Sequence, residues 1–316
     1  MPKLGLKSKI AIAGIVAILL IAIGRLFFPV SQPGLELAAN YSEPFYKLGP
    51  IYITNTLITS WLSILVLIGF FYFATRKMKL VPKGLQNFAE TIIELLLDFV
   101  EGVAGKENGR RFFPVVATIF LYVLFNAWLA LLPVFNFIGI SQQQADGTTT
   151  YVALLRAANT DMNVTLLLAL VSFCSVEYWG ITSLGLRHYL GKFFRFEQLL
   201  QGLGQLIRGK VKSAVSAFLY GAIDIFVGAL ELLSEFVRII SFTFRLFGNM
   251  TAGEILLLMM AFLIPWIIPA IFYGLETFLG FVQAFIFAGL TLVFATMAVA
   301  AHETEHQKSL RKGVSK

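Results

Sequence analysis

Asp224, Glu231, Arg238 and Arg245 recur at intervals of seven in a run whose other residues are mostly apolar. Seven helical residues leave a drift of only about 20°, so the four share one face. Glu235 and Asn249 widen that polar stripe, each four residues past a member of it. Glu254, nine residues past Arg245, faces roughly the opposite way. The next apolar run carries Glu276 and Gln283, again seven apart. An ionisable group in hydrocarbon costs at least about 2.5 kcal/mol, so each of these residues needs a partner, a water path or a function. Arg245 does not shed its proton and is a fixed positive charge, whose natural counterpart is a carboxylate. Its own stripe offers none close enough, and the partner is expected from another chain. Glu254 and Glu276 are of another kind. If the two runs form an antiparallel hairpin around Pro265 and Pro269, these acids meet at a similar depth. Neighbouring carboxylates in a low dielectric cannot both stay ionised, so one holds a proton near neutrality, as a relay requires.

The remaining candidates are weaker. Asp161 and Asn163, at the start of an apolar run, read either as a helix cap or as part of a polar path. Glu177 reads as a snorkelling or ion-paired acid. His188, His302 and His306 lack metal-ligand spacing, and the single cysteine, Cys174, excludes an internal disulfide and a thiol-based metal site. No phosphate-cradling G-x-x-x-x-G-K-[ST] loop occurs, so direct nucleotide binding is not expected. Neither a cofactor nor a metal is expected.

The elements that must position these residues follow from composition. Charged residues make up 14% of the 316-residue chain and hydrophobic ones 58%, too little charge to wet the surface of a soluble globule. A hydrocarbon core of about 30 Å needs roughly 20 apolar residues per helix. About six such runs occur, near residues 10–30, 53–75, 112–134, 164–186, 215–263 and 271–300. Twenty of the 25 Lys and Arg fall before the first run, in the second and fourth connectors, or in the tail; the opposite connectors hold only Lys47 and Arg156. Basic connectors stay cytoplasmic, which puts both termini on that side. This distribution also removes nucleic acid as a partner, since no basic face is exposed to water. The fifth run is too long to cross upright, and splitting it would place the basic tail outside, so it is expected as one steeply tilted helix. Residues 85–103 repeat Glu90, Glu94, Asp98 and Glu101 on one face against Phe88, Ile92, Leu95, Leu96 and Phe99, the pattern of an amphipathic helix at the membrane surface. The fold class is therefore an all-α polytopic membrane protein with about six hydrophobic helices, including a long, strongly tilted hairpin, plus one amphipathic surface helix. The first run is read as a retained signal anchor, with a cleaved signal peptide as the alternative.

The segment 241–254, SFTFRLFGNMTAGE, resembles the signature of subunit a of rotary F-type ATP synthases, approximately S-x-x-x-R-L-F-G-N-M-x-A-G-E. Gln283-Ala-Phe-Ile-Phe, Asp161-Met-Asn-Val-Thr and Pro82-x-Gly-Leu-Gln-Asn reinforce the likeness, which covers roughly residues 45–306. The resemblance implies a subunit a membrane domain over residues 46–306, preceded by an unmatched segment 1–45 and followed by a basic tail, 307–316. It implies a non-catalytic, proton-translocating stator subunit of a bacterial inner membrane. Its partners would be the c-ring of small hairpin subunits, the b-type subunits of the peripheral stalk, and the lipid bilayer. By that likeness Arg245 faces the ring carboxylates. Asn249, Glu254, Glu276 and Gln283 belong to the half channel open to the periplasm, and Glu231 and Ser241 to the cytoplasmic side. Glu235 and Arg238 fall where relatives vary. Some relatives pair one acid with a histidine where this chain has acids at both Glu254 and Glu276, so the pH dependence of the relay is expected to differ. Two readings from other classes stay open: a stand-alone transporter or channel, which predicts internal repeats that are not visible, and a membrane scaffold whose stripe only docks neighbours.

Overall fold

The computed structural model describes residues 47–48, 51–132, 139–143, 149–153, 155–193, 202–203, 207, 211–263 and 268–314. The expected first helix at 10–30 and the turn residue Pro265 lie outside them. Seven helices are described: α1 (Asn55–Thr75), α2 (Leu85–Ala104), α3 (Lys106–Ala130), α4 (Met162–Leu184), α5 (Leu186–Phe193), α6 (Val211–Leu263) and α7 (Ile268–Val314). Two antiparallel hairpins are the strands among the described residues. β1 (Lys47–Leu48) pairs with β2 (Ile51–Tyr52), and β3 (Gly139–Gln143) with β4 (Thr149–Ala153), placing Gly139 opposite Ala153. They sit in the two connectors poor in Lys and Arg. A 3₁₀ turn, Ala158–Thr160, leads into α4.

Among the described residues, four helical stretches are long and apolar enough to cross a membrane: α1, α3, α4 and Pro269–Ala300 of α7. Side chains such as Leu65, Ile68 and Phe73 on α1 are exposed, as lipid-facing positions must be. The boundaries differ from the hydropathy reading in instructive ways. Helix α3 begins at Lys106, six residues before the apolar run, because hydropathy reports burial in oil while the helix is defined by its hydrogen bonds. It ends at Ala130 rather than 134, before Pro133, which cannot donate to the ladder and disfavours helix in the residue ahead of it. Helix α6 is 53 residues long, about 80 Å at about 1.5 Å per residue, and does not fit upright within about 30 Å of hydrocarbon. Helix α7 continues past Ala300 to Val314.

The amphipathic helix forms as its pattern requires. Ala89, Leu96 and Val100 of α2 are buried, while Glu94 and Asp98 are exposed. Gln86 fastens the preceding connector: its amide oxygen accepts from the Lys79 N–H at 3.1 Å, and its amide nitrogen donates to the Lys79 carbonyl at 3.0 Å and to Glu90 at 2.8 Å. The reversal into α3 turns on Gly105, at φ 77°, where a side chain would be strained. Gly109 lets the two helices close, since a Cβ there would lie 2.9 Å from the Glu101 Cα.

Helices α3, α4, α6 and α7 enclose the core. Phe112 stacks near Trp179 at 4.5 Å, Phe242 near Phe287 at 4.9 Å, and Val123, Leu246, Ala284, Leu292 and Ala295 are fully buried. Small residues on one face of α7, among them Ala284, Ala288, Thr291 and Ala295, let neighbouring backbones approach, as membrane packing requires. Ser172 and Thr291 join α4 to α7 by a buried hydroxyl pair at 2.7 Å.

Candidate functional site: a charged helix hairpin and its outer polar seam

Helices α6 and α7 run antiparallel over their described lengths. Rising positions on α6 meet falling positions on α7: Arg238 with Phe294, Phe242 with Phe287, Asn249 with Gln283, and Gly253 with Glu276. Pro269 sits in the first turn of α7, where its missing N–H costs nothing.

The heptad stripe does not behave as one unit. Arg238 turns inward, its guanidinium 3.9 Å from the Phe294 ring centre and 2.7 Å from the Glu235 carboxylate. Arg245 is exposed, 5.9 Å from the Phe242 ring, and among the described residues no carboxylate lies within ion-pair distance of it. The reason is local: Arg238 has an acid three residues before it, and Arg245 has only apolar and hydroxyl neighbours on its turn. Around Arg245 the exposed surface of α6 carries Ile240, Ser241, Phe244, Gly248 and Ala252. Asp224 and Glu231 are half-buried nearer the start of α6.

A polar line leads away from the level of Arg245 along the hairpin. Asn249, one turn on, donates to the Gln283 amide oxygen at 3.5 Å. Gln283 is 5% exposed, and its own amide nitrogen has no hydrogen-bond partner among the described residues. Two turns before it on α7, Glu276 is 7% exposed, and its carboxylate occupies the space a side chain at position 253 would need. Glycine at 253 is thus what admits the acid. Glu276 thereby comes to rest against the neighbour of Glu254. Glu254 itself reaches a partner the spacing did not suggest: Arg156, 9% exposed, donates to it at 3.5 Å.

Beyond Arg156 a buried polar seam continues between α1, α3 and the start of α4. The Arg156 N–H donates to the Thr59 hydroxyl at 3.2 Å, the Thr56 hydroxyl to Asp161 at 2.7 Å, and the Ser63 hydroxyl to Asn126 at 2.8 Å, while Ser60 and Tyr122 share a hydrogen bond at 2.6 Å. Asn159 donates to the Val123 carbonyl at 3.4 Å. Asp161 also caps α4 by accepting from the Asn163 N–H at 2.9 Å, whereas the Asn163 side chain is exposed. Sequence reasoning missed Arg156, Asn126, Tyr122, Asn159 and the α1 hydroxyls. The signal was present: Asn55, Thr56, Thr59, Ser60 and Ser63 recur at helical spacing on one face of an apolar run, and all are buried.

A second polar cluster lies toward the basic connectors. The Tyr189 hydroxyl of α5 donates to the Glu177 carboxylate, with the Glu235 and Arg238 charges near enough to be felt. Burial, and then that hydrogen bond, push the Tyr189 phenol far above its ordinary range, so it stays neutral. Arg111 of α3 reaches the Ser183 hydroxyl at 3.3 Å and also bonds Thr182, closing this end of the bundle.

A sequence model of the family described as ATP synthase A chain matches residues 57–296, from the first turn of α1 to the last apolar turns of α7. ATP synthase subunit a of Helicobacter acinonychis is 31% identical over 261 residues, covering 82% of this chain and 95% of that protein. The subunit a of Helicobacter pylori strain Shi470 matches to the same extent. That of Gloeobacter violaceus is 30% identical over 262 residues, covering 83% and 90%. The matched span holds the fixed cation, the polar line and nearly all of the seam behind it, so the likeness falls on the parts that carry chemistry. This chain belongs to the ATP synthase A chain family.

Proposed function

We propose that this chain is the proton-conducting stator subunit of a rotary F-type ATP synthase, offering two offset half channels to a ring of carboxylate-bearing hairpin subunits with Arg245 as the fixed charge between them. As a family member it is a transport subunit and not the site of nucleotide chemistry. The single observation that carries the finer reading is Arg245, a permanent cation exposed on an apolar helix face with no acid near it among the described residues. Such a group demands a carboxylate from outside the chain.

The chemistry follows from electrostatics. A ring carboxylate crosses lipid only when neutral, because an ionised one in hydrocarbon is prohibitively costly. Facing Arg245, the ionised form is favoured and the proton leaves along one aqueous path. Past the arginine a second proton arrives from the other side, along the half channel that holds Glu254, Glu276, Gln283 and Asn249. Glu231, Ser241 and the Glu235–Arg238 pair flank the cytoplasmic route. A guanidinium between the two paths repels a hopping proton and so prevents a short circuit. Each proton then releases about 2.3 kcal/mol per 100 mV as rotation rather than as leakage. The b-type stalk subunits hold the chain against the turning ring. The basic connectors support a cytoplasmic position for both termini, and the Helicobacter and Gloeobacter relatives support a bacterial inner membrane.

Arg245→Ala is expected to assemble with the ring, as judged by co-purification, yet to lose ATP-driven proton pumping in membrane vesicles. Normal pumping by this variant would remove the arginine from the mechanism and favour a scaffold.

A further inference from the structure

The outer half channel contains two acids, and the mechanism above leaves open which of them exchanges protons. Resting on that reading, we propose that Arg156 is the standing counter-ion of Glu254, holding it as a carboxylate, so that Glu276 alone carries the travelling proton. The two acids differ in what surrounds them. Glu254 has a guanidinium at 3.5 Å. Glu276 is 7% exposed, lies against Gly253, and has no cation within ion-pair distance among the described residues. Where two neighbouring carboxylates share a low dielectric with one cation, the acid beside the cation ionises and the other takes the proton.

Arg156 is built into place rather than free to wander. Its own N–H is held by Thr59 of α1, and three residues on Asn159 is tied to α3. Asp161, five residues on, is held by Thr56 and by the first turn of α4. The backbone is thus pinned on the C-terminal side of the arginine as well as at it, and the guanidinium is aimed at α6 before any proton arrives. Among the described residues, the other charged groups of this region are Asp161, engaged by its two donors, and Glu276 itself; α3 presents Ala127 and Trp128 to the adjoining turn of α7. The proton therefore moves from the outer water to the Glu276 carboxylate, and from there past Gln283 and Asn249 to a ring carboxylate, leaving Glu276 ionised until the next one enters. Arg156 and Glu254 are positioning residues, and their charges stay as they are throughout.

The assembled synthase in membrane vesicles provides the test, with proton flux driven by ATP or by an imposed potassium diffusion potential and read by a pH-sensitive dye across a range of pH. Glu254→Gln removes the carboxylate that Arg156 faces, its charge then favours the ionised form of Glu276, and flux is expected to fall at least tenfold. Adding Arg156→Gln to that variant removes both charges, and flux is expected to return to within about threefold of the parent with the parent's pH profile. Arg156→Gln alone is expected to move the profile to the alkaline side, because the Glu254 charge, no longer offset by the guanidinium, delays proton release from Glu276. If Arg156→Gln does not assemble, the double variant and Arg156→Lys, which keeps the charge and is expected to keep the profile, decide the matter. A double variant no better than Glu254→Gln alone overturns the counter-ion assignment. Glu276→Gln is expected to abolish flux, and normal flux there would overturn the half-channel reading itself.

Discussion

Gly253 and Glu276 are closely apposed between α6 and α7: a carboxylate stands where any other residue would place its Cβ. The obstructed atoms belong to the far end of a flexible side chain, so a substitution at 253 is absorbed by moving the acid and not by parting the helices. Gly253→Ala is therefore expected to assemble normally and to slow proton flux by roughly tenfold, which corresponds to about 1.4 kcal/mol of barrier. Flux equal to the parent, measured in vesicles with matched amounts of complex, would show that the position of Glu276 is immaterial. Arg245 and Arg238 teach a related lesson. They are the same residue type on one heptad register, yet one is spent inside the chain on Glu235 and Phe294 while the other is left facing outward. Spacing predicted a shared face; only the neighbours within reach of each guanidinium separated their roles.

At the level of elements, polar groups at the outer ends of helices hold the bundle in register. Asp161 ends the 3₁₀ turn, caps α4 and accepts the Thr56 hydroxyl of α1, so one side chain sets the relative height of two helices. Asp161→Ala removes the cap and the tie to the Thr56 hydroxyl, which keeps only its hydrogen bond with Thr54, and is expected to cost about 1–2 kcal/mol for the cap alone. Thermal dissociation of the purified complex would register it, and an unchanged midpoint would mean that water or a neighbour replaces the carboxylate. Helices α1, α2, α4 and α6, and the start of α7, were legible in the sequence to within a few residues, because apolar length and amphipathic period are strong signals. The ends were not, since Pro133 and Gly105 act through backbone geometry that hydropathy does not contain. The face of α1 that carries Asn55, Thr56, Thr59, Ser60 and Ser63 went unread for a different reason: hydroxyl residues in an apolar run are cheap when they bond backward to their own helix, as Thr59 and Ser63 do, so their number alone does not distinguish a polar seam from ordinary lipid-facing serine and threonine.

For the whole molecule, the asymmetry of basic residues and the tilt of α6 are linked. Both termini can share one side only if the 53-residue α6 counts as a single crossing together with its neighbours. Cysteine labelling checks this directly. After Cys174→Ser removes the native exposed thiol, Lys106→Cys is expected to react with a membrane-impermeant maleimide only from the cytoplasmic face, and Lys47→Cys only from the opposite one. Labelling of both positions from the same side would invert the reading of α1 and of every helix after it. The exposed apolar side chains of α6 from Phe226 to Phe244 fit a neighbour as apolar as themselves, and the exposed charge of Arg245 follows directly on them.

Composition, period and the run around Arg245 determined by themselves that this is a helical membrane protein, that a cation stands in a long polar-striped helix, and to which family that stripe belongs. Those properties are local in sequence, and free energies of transfer and helical geometry convert them into structure without reference to distant residues. Which charges cancel one another was decided only by the tertiary structure. Arg156 and Glu254 are 98 residues apart and lie in segments of opposite character, a connector and a membrane helix. Nothing in either segment names the other, because an ion pair is a relation between positions in space, and the chain specifies those positions only after all of its helices have packed.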